Sequence, residues 1–516
     1  MTISMANEVA AIVTPPAKTE TKRSLVSAYG AWGIMALGGV CMLSQYLSNR
    51  SLWLDEVLLA SNVVTRSFAG LLQPLDYNQG APIGFLMLQR VAVVLFGPSE
   101  YAMRLVPLAA GLIALPLMWG VARRLLSVPA ALFALGLLAV SPSLIYYASE
   151  AKQYSVDLMV VLGVILAALR VLEQPGRMNR LLVYALLGAM GMYLSHPAVL
   201  ALAGTGSALM AAEIRHSRRR PFLVLMAIAA GWTLLAILNY VLFLRHLSQN
   251  SYLQQYWAGG FMPWPVSMHS AVWLGRSMCQ LFYSPGGLLL TQLAALAAVL
   301  GCVGLWQRSR PSLLLVASPG IVTLVAAMGH KYPFSERLIL FVMPILYLLI
   351  AGGIESLWNV LQRYRILIAG LLAAGLIGPG MAMAARNVLH PRGREEIRPV
   401  LAYIASHARP GDRLYVYYAA TPAFRYYRDQ TGLSGMPIIQ GAESRSDWLG
   451  YLEDLDQLKG LRRVWVVFSH VWFAEGVDEQ RLFLMKLDGM GNRLDAKLAT
   501  GASAYLYDLS EAKAGG

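Results

Sequence analysis

Charge is scarce in this chain: Asp, Glu, Lys and Arg make up 14% of its 516 residues, where a soluble domain carries about 25%. Acidic residues are the scarcer kind, with 28 Asp and Glu against 42 Lys and Arg. Cysteine is nearly missing. Cys41, Cys279 and Cys302 lie far apart, in or beside apolar stretches, which excludes a disulfide framework and a cysteine zinc site. The first 24 residues lack the apolar core of a cleavable signal peptide, being polar and Pro-containing.

What is abundant is apolar: 57% of the residues are hydrophobic and the mean hydropathy is +0.52. This composition is that of a polytopic membrane protein. The net charge of +14 does not point to nucleic acid, because the basic residues sit in short clusters between apolar runs, the pattern of cytoplasmic loops.

A spanning helix needs about 20 mostly apolar residues. Stretches of that kind fall at 25–47, 103–122, 128–147, 152–172, 180–195, 197–213, 221–245, 286–306, 312–329, 338–354 and 365–386, so about 11 transmembrane helices are expected. With Lys18, Lys22 and Arg23 on the cytoplasmic side, alternate threading puts Arg123 and Arg124, then Arg170, Arg177 and Arg180, then Arg215 and Arg218 to Arg220, then Arg308 and Arg310, then Arg363 and Arg365 inside. The apolar piece Ala81 to Gly97 is short, begins at a Pro and carries Arg90; it is expected to lie along the outer surface. Three domains follow: a cytoplasmic tail over 1–24, a membrane domain over 25–389 with an outer loop at 48–100, and an extracytoplasmic α/β domain over 390–516. In the last, 413–418, 463–468 and 503–507 are expected strands, 394–407 and 448–458 expected helices, and there is no defensible Gly-rich phosphate loop.

The same threading collects the polar residues on the outer side. They include Asp55 and Glu56 in Ser51-Leu52-Trp53-Leu54-Asp55-Glu56, Glu150, Lys152 and Tyr154 in the run from Tyr146, His196 before Pro197, and Lys331, Tyr332, Glu336 and Arg337. Asp157 lies seven residues after Glu150, on the same helix face and inside an apolar span. Ionisable groups at such depth are costly and mark functional sites by default, and a buried carboxylate needs a cation, a metal or a donor. Lys152, Lys331 and Arg337 are the available cations, and they could equally hold a lipid phosphate. Glu150, Lys152 and Asp157 could also form a network that only joins helices. His196 could satisfy a backbone group at a helix break, and the aromatic loop Tyr252, Tyr256, Trp257, Phe261 and Trp264 suits a membrane-interface belt or a lid.

Taken together, Trp53-Leu54-Asp55-Glu56 after the first helix, Ala81-Pro82, "LFGPSEYAMRLVPLAAGL" at 95–112, "SPSLIYYASEAKQYSVD" at 141–157 and the terminal soluble domain resemble the GT-C membrane glycosyltransferases. The branch is that of bacterial relatives of protein O-mannosyltransferases and lipid A aminoarabinose transferases, the glycosyltransferase family 39-like group. The resemblance covers 25 to about 355. It implies sugar transfer on the outer face of a bacterial inner membrane, from a polyprenyl-phosphate-linked donor to a hydroxyl on a lipid, glycan or protein acceptor. Asp55 matches the family's acceptor-activating acid, Lys152 a basic position and Asp157 a second acid. Where the aminoarabinose branch has Glu-Lys before a Pro pair, this chain has Gln79-Gly80-Ala81-Pro82. Metal dependence therefore stays open, with a divalent cation the candidate. The expected catalytic set is Asp55, Glu56 and Asp157, and the expected substrate-binding set is Glu150, Lys152, Tyr154, His196, Lys331, Tyr332 and Arg337. Two other classes fit less well: a polyprenyl-lipid or glycolipid transporter, which should show paired broken helices, and a non-catalytic scaffold for envelope assembly.

Overall fold

The computed structural model describes residues 18–510 apart from Ser446 and Glu475. The tail expected over 1–24 therefore lies outside the described residues up to residue 17. The chain opens with α1 (Lys18–Leu47), α2 (Leu54–Thr65), α3 (Ile83–Phe96), α4 (Glu100–Leu125), α5 (Val128–Ala139), α6 (Pro142–Tyr147), α7 (Tyr154–Glu173), α8 (Met178–Leu194), α9 (Ala198–Arg215) and α10 (Arg219–Asn239). Later long helices are Thr291–Arg308, Arg310–Met328 and Met343–Val360, followed by the pair Arg365–Leu376 and Gly378–Leu389. The chain is a multi-pass, predominantly α-helical membrane protein with a C-terminal α/β region.

Helix forms at every stretch read as a span, but fewer helices are long enough to cross. Among the described residues seven are long and apolar enough, or eight if a pair bent by 47° within 370–389 counts as one span. The stretch 128–147 breaks in two where Ser141 caps α6 and Pro142 starts it. The 12 residues of α5 owe their apolarity to burial, since nine of them are enclosed by protein, as suits an apolar run of 10–14 residues. A hydropathy window counts apolar residues without registering where a helix stops. The 14 residues of α3 are likewise too few to cross.

The basic clusters between helices gather at one end. Arg124 and Arg180 both pair with Glu173, at 3.1 and 3.4 Å, and Arg308 pairs with Glu355 at 3.0 Å. At the other end the α1–α2 loop meets the C-terminal region. There β1 (Arg413–Val416), β2 (Ile438–Gln440), β3 (Val464–Ser469), β4 (Phe473–Ala474), β5 (Val477–Asp478), β6 (Asn492–Ala499) and β7 (Ala502–Asp508) build a five-stranded sheet in the order β2-β1-β3-β7-β6 and the small β4-β5 pair. β1 runs parallel to β2 and β3, and β7 antiparallel to β3 and β6. The three expected strands became β1, β3 and β7. β3 is buried at all six positions, whereas the edge strand β6 only alternates between exposed and half-buried residues.

Small residues set the tightest helix crossing. A Cβ on Gly353 would overlap the Ala297 carbonyl, and one on Gly301 the Leu349 carbonyl, so these two helices meet backbone to backbone. Gly353→Leu should lower stability by about 1–3 kcal/mol, the usual cost of overpacking. Gly163→Ala should not, because a Cβ there meets nothing within 4 Å. Thermal unfolding in detergent distinguishes the two.

Candidate active site

The α1–α2 loop is organised by charge buried behind it. Arg104, in the second turn of α4 and 1% exposed, donates to Glu56 Oε1 at 2.8 Å and Oε2 at 2.6 Å, to the Arg50 carbonyl at 2.7 Å and to the Ser51 carbonyl at 3.1 Å. Glu56 also accepts from the Trp53 and Ala151 amides, at 3.3 and 2.8 Å. Burial pushes the Glu56 carboxyl up, but the Arg104 guanidinium outweighs it and holds it below the usual range. This corrects one expectation. Glu56 does not face a substrate beside Asp55; it is fully buried, and both its oxygens hold the loop in shape.

Asp55, one residue earlier, points the other way. Its side chain is 23% exposed and its Oδ2 pairs with Arg337 at 2.6 Å. Arg337 is caged by aromatic faces, with Trp53, Tyr154 and Trp257 at 5.5, 5.8 and 5.4 Å from its guanidinium carbon. Such stacking suits a guanidinium that must stay in place with little water.

Around this pair lie further cations. Lys152 donates to Gln79 Oε1 at 2.7 Å and acts electrostatically on Asp55. Arg50 holds Ser149 through its side chain at 2.9 Å and its carbonyl at 2.7 Å. Arg394, from the start of the C-terminal region, stacks on Trp53 at 4.1 Å and Tyr146 at 5.2 Å. Arg50, Arg104, Lys152, Arg337 and Arg394 thus stand among the carboxylates of Asp55, Glu56 and Glu150, with Glu395 and Glu396 against the α1–α2 loop. Glu150 is fully buried and neither of its oxygens has a hydrogen-bond partner among the described residues; Arg337 Nε and Trp53 Nε1 are in the same position. Buried polar groups are rarely left so: the Glu150 oxygens call for a donor, and the Arg337 and Trp53 nitrogens for an acceptor.

The other expected residues fall into a second, adjoining place. His196, Lys331 and Tyr332 line a cavity of about 780 Å³ whose further wall is apolar, including Met192, Leu200 and Trp232. His196 is held down to about 4 by burial, so it is a neutral imidazole there. Asp157 is 4% exposed with its Oδ1 unpartnered, and it neighbours Tyr332 rather than Asp55. Among the described residues no group of three or more His, Cys, Asp or Glu is placed to hold a metal ion.

Arg50, Arg104 and Arg394 were not among the expected residues. An arginine four residues into an apolar helix was a usable signal for Arg104. Nothing in the sequence pattern tied Arg394 to this loop.

Residues 80–246 match the family model described as dolichyl-phosphate-mannose-protein mannosyltransferase. Over this segment, about a third of the chain, the protein is similar to that family of membrane mannosyltransferases. The matched segment holds Glu150, Lys152, Tyr154, Asp157 and His196, while Asp55 and Arg337 lie outside it. No curated protein matches the chain. Solved structures similar to the chain include ArnT from Cupriavidus metallidurans in the apo state, at 14% identity and a TM-score of 0.49 over 95% of this chain and 98% of that one. The same protein bound to undecaprenyl phosphate gives 14% and 0.47 over 93% and 98%. AglB, the archaeal oligosaccharyltransferase from Archaeoglobus fulgidus, in complex with an inhibitory peptide and a dolichol-phosphate, gives 10% and 0.47 over 93% and 74%.

Burial and the nearby Glu56 push Glu150 up to about 7 from an ordinary 4.5, against the pull of Arg337, Arg394 and Arg50. A carboxyl raised on folding stabilises the protein below its unfolded value, and that stability is lost as pH rises through the folded value. Stability should therefore fall between about pH 4.5 and 7. Glu150→Gln should remove that slope and be the more stable protein at pH 8. Thermal unfolding of the detergent-solubilised proteins across this range checks it.

Proposed function

We propose that the protein transfers a sugar from a polyprenyl-phosphate-linked donor to an acceptor hydroxyl on a lipid, glycan or protein, with Asp55 as general base. The observation that carries this is the Asp55–Arg337 pair set among aromatic rings with Lys152 and Arg394 nearby. The family match over 80–246, whose name specifies a dolichyl-phosphate-mannose donor, supports the donor class.

In this reading the acceptor hydroxyl gives its proton to the Asp55 carboxylate while its oxygen attacks the anomeric carbon. The bond from that carbon to the phosphate oxygen breaks, and the polyprenyl phosphate leaves with the electron pair, inverting the sugar. A phosphate is already a good leaving group, so the protein's share is to orient the acceptor, take its proton and neutralise charge. Arg337 holds Asp55 in register, and Lys152 and Arg394 stand beside it for the phosphate. The partial exposure of Asp55 suits a base, since a carboxyl sealed in apolar surroundings would hold its proton. The prenyl chain would lie in the apolar cavity, with Lys331, Tyr332 and His196 at its polar edge and Asp157 behind Tyr332. The site would face the extracytoplasmic side of a bacterial inner membrane, with the N-terminus inside and the region from 390 outside. Only one bent helix pair occurs among the described residues, which gives the transporter reading no matched partner.

The test uses membranes carrying the wild type or Asp55→Asn at matched levels, with a panel of radiolabelled polyprenyl-phosphate sugars. Wild-type transfer should fall by about 10²–10⁴-fold in the variant, the range for losing a general base. Full activity of Asp55→Asn would remove Asp55 as the base, and no consumption of any donor would return the transporter and scaffold readings.

A further inference from the structure

The helix that carries Asp55 begins without a cap of its own. The residue at the α2 N-cap is Trp53, whose side chain makes no capping hydrogen bond, where Ser, Thr, Asp or Asn would normally satisfy the first free amides. Glu56 serves the Trp53 amide from within the helix. The amides on either side are served from the other end of the chain.

Glu395 Oε2 accepts from the Leu54 amide at 2.9 Å, Glu396 Oε2 from the Ser51 amide at 3.0 Å, and the Tyr427 hydroxyl from the Leu52 amide at 2.7 Å. Arg394 covers the Trp53 ring. Three consecutive residues, 394 to 396, therefore each grip a different point of Ser51–Leu54. That triplet is itself fastened. The Glu396 amide donates to the Thr500 carbonyl at 2.7 Å, in the turn joining β6 to β7. Glu395 Oε1 pairs with His470 at 2.7 Å, just past β3. Gly501 in the same turn has φ +64°, and a Cβ there would run into the Arg394 carbonyl.

We propose that Glu395, seated on the β6–β7 turn, is a positioning residue for Asp55: it caps α2 from the C-terminal region and so sets where the carboxylate stands. The carboxylate at the Leu54 amide is favoured twice, by the hydrogen bond and by the positive end of the α2 dipole. Gly501 is required because only glycine lets the turn approach Arg394 this closely with a positive φ. The inference rests on Asp55 being the base, but its geometric half can be read without any assay of transfer.

The experiment compares the full-length wild type with Glu395→Ala, Glu395→Gln, Gly501→Ala and Asp55→Asn, measuring hydrogen–deuterium exchange of a peptide spanning 51–58 alongside kcat and donor KM. In Glu395→Ala the Leu54 amide loses its partner, so exchange of that peptide should speed up by about 10-fold or more while that of 155–170 stays unchanged. A carboxylate displaced by about 1 Å costs on the order of 10²-fold in rate, so kcat should fall by about 10–100-fold with donor KM within about twofold. Glu395→Gln keeps an oxygen that can accept from the Leu54 amide and should recover most of kcat. Gly501→Ala should repeat the Glu395→Ala pattern from a residue that touches neither α2 nor substrate.

Unchanged exchange of 51–58 in Glu395→Ala would overturn the proposal, as would faster exchange with a wild-type kcat while Asp55→Asn is inactive. If Asp55→Asn is active, the reading of Asp55 as base fails, and the exchange data alone decide whether Glu395 caps α2. Faster exchange throughout the chain would mark general unfolding and also count against a specific positioning role.

Discussion

The buried pair of Arg104 and Glu56 is the constraint on which the candidate site depends. Two opposite charges taken out of water are tolerated only when their remaining hydrogen-bonding capacity is filled, and losing one partner of such a pair typically costs about 3–5 kcal/mol. Here the capacity is filled by the α1–α2 loop. Arg104 takes the carbonyls of residues 50 and 51, and Glu56 the amides of residues 53 and 151. The loop that presents Asp55 is thus wrapped around an ion pair belonging to α2 and α4, and its neighbour at 151 ties in the segment bearing Glu150 and Lys152. Asp55 and Glu56 are adjacent in sequence and opposite in task, because consecutive residues of a helix point about 100° apart. One turns inward to neutralise Arg104, and the other outward to meet Arg337.

Much of the architecture was legible from composition and periodicity. Apolar runs located every long helix, and the alternation of basic clusters reappears as one charged end of the bundle. The number of crossing helices was not legible, because α5 is apolar for being enclosed by other helices, and the stop at Ser141-Pro142 is a local event inside an unbroken hydropathy peak. In the C-terminal sheet, strands buried on both faces announced themselves through runs such as 463–468, which became β3. β6 went unnoticed because an edge strand with one wet face looks like ordinary polar loop.

The candidate site divides in the same way. Asp55, Lys152, Tyr154, Glu150 and Arg337 were all chosen from sequence and all come together, because rare charges beside apolar segments have few reasons to be there. Glu56 was chosen for the same reason and proved structural, since pattern does not say which way a side chain turns. Glu395 and Tyr427 gave no signal whatever. They belong to a polar region where charge is unremarkable, and their partners at Leu54 and Leu52 lie 341 and 375 residues away.

Those separations bear on biosynthesis. Ribosomes make the α1–α2 loop early, and helices as far as α4 suffice to supply the Arg104–Glu56 pair. The amides of residues 51, 52 and 54, however, find all their partners only after residue 427 has been made, and the turn that seats Glu395, at residues 500 and 501, comes later still. A copy ending before residue 395 would lack every acceptor of the Ser51, Leu52 and Leu54 amides. Synthesis of the stretch from 394 to 501 is thereby the step that finishes the loop around Asp55.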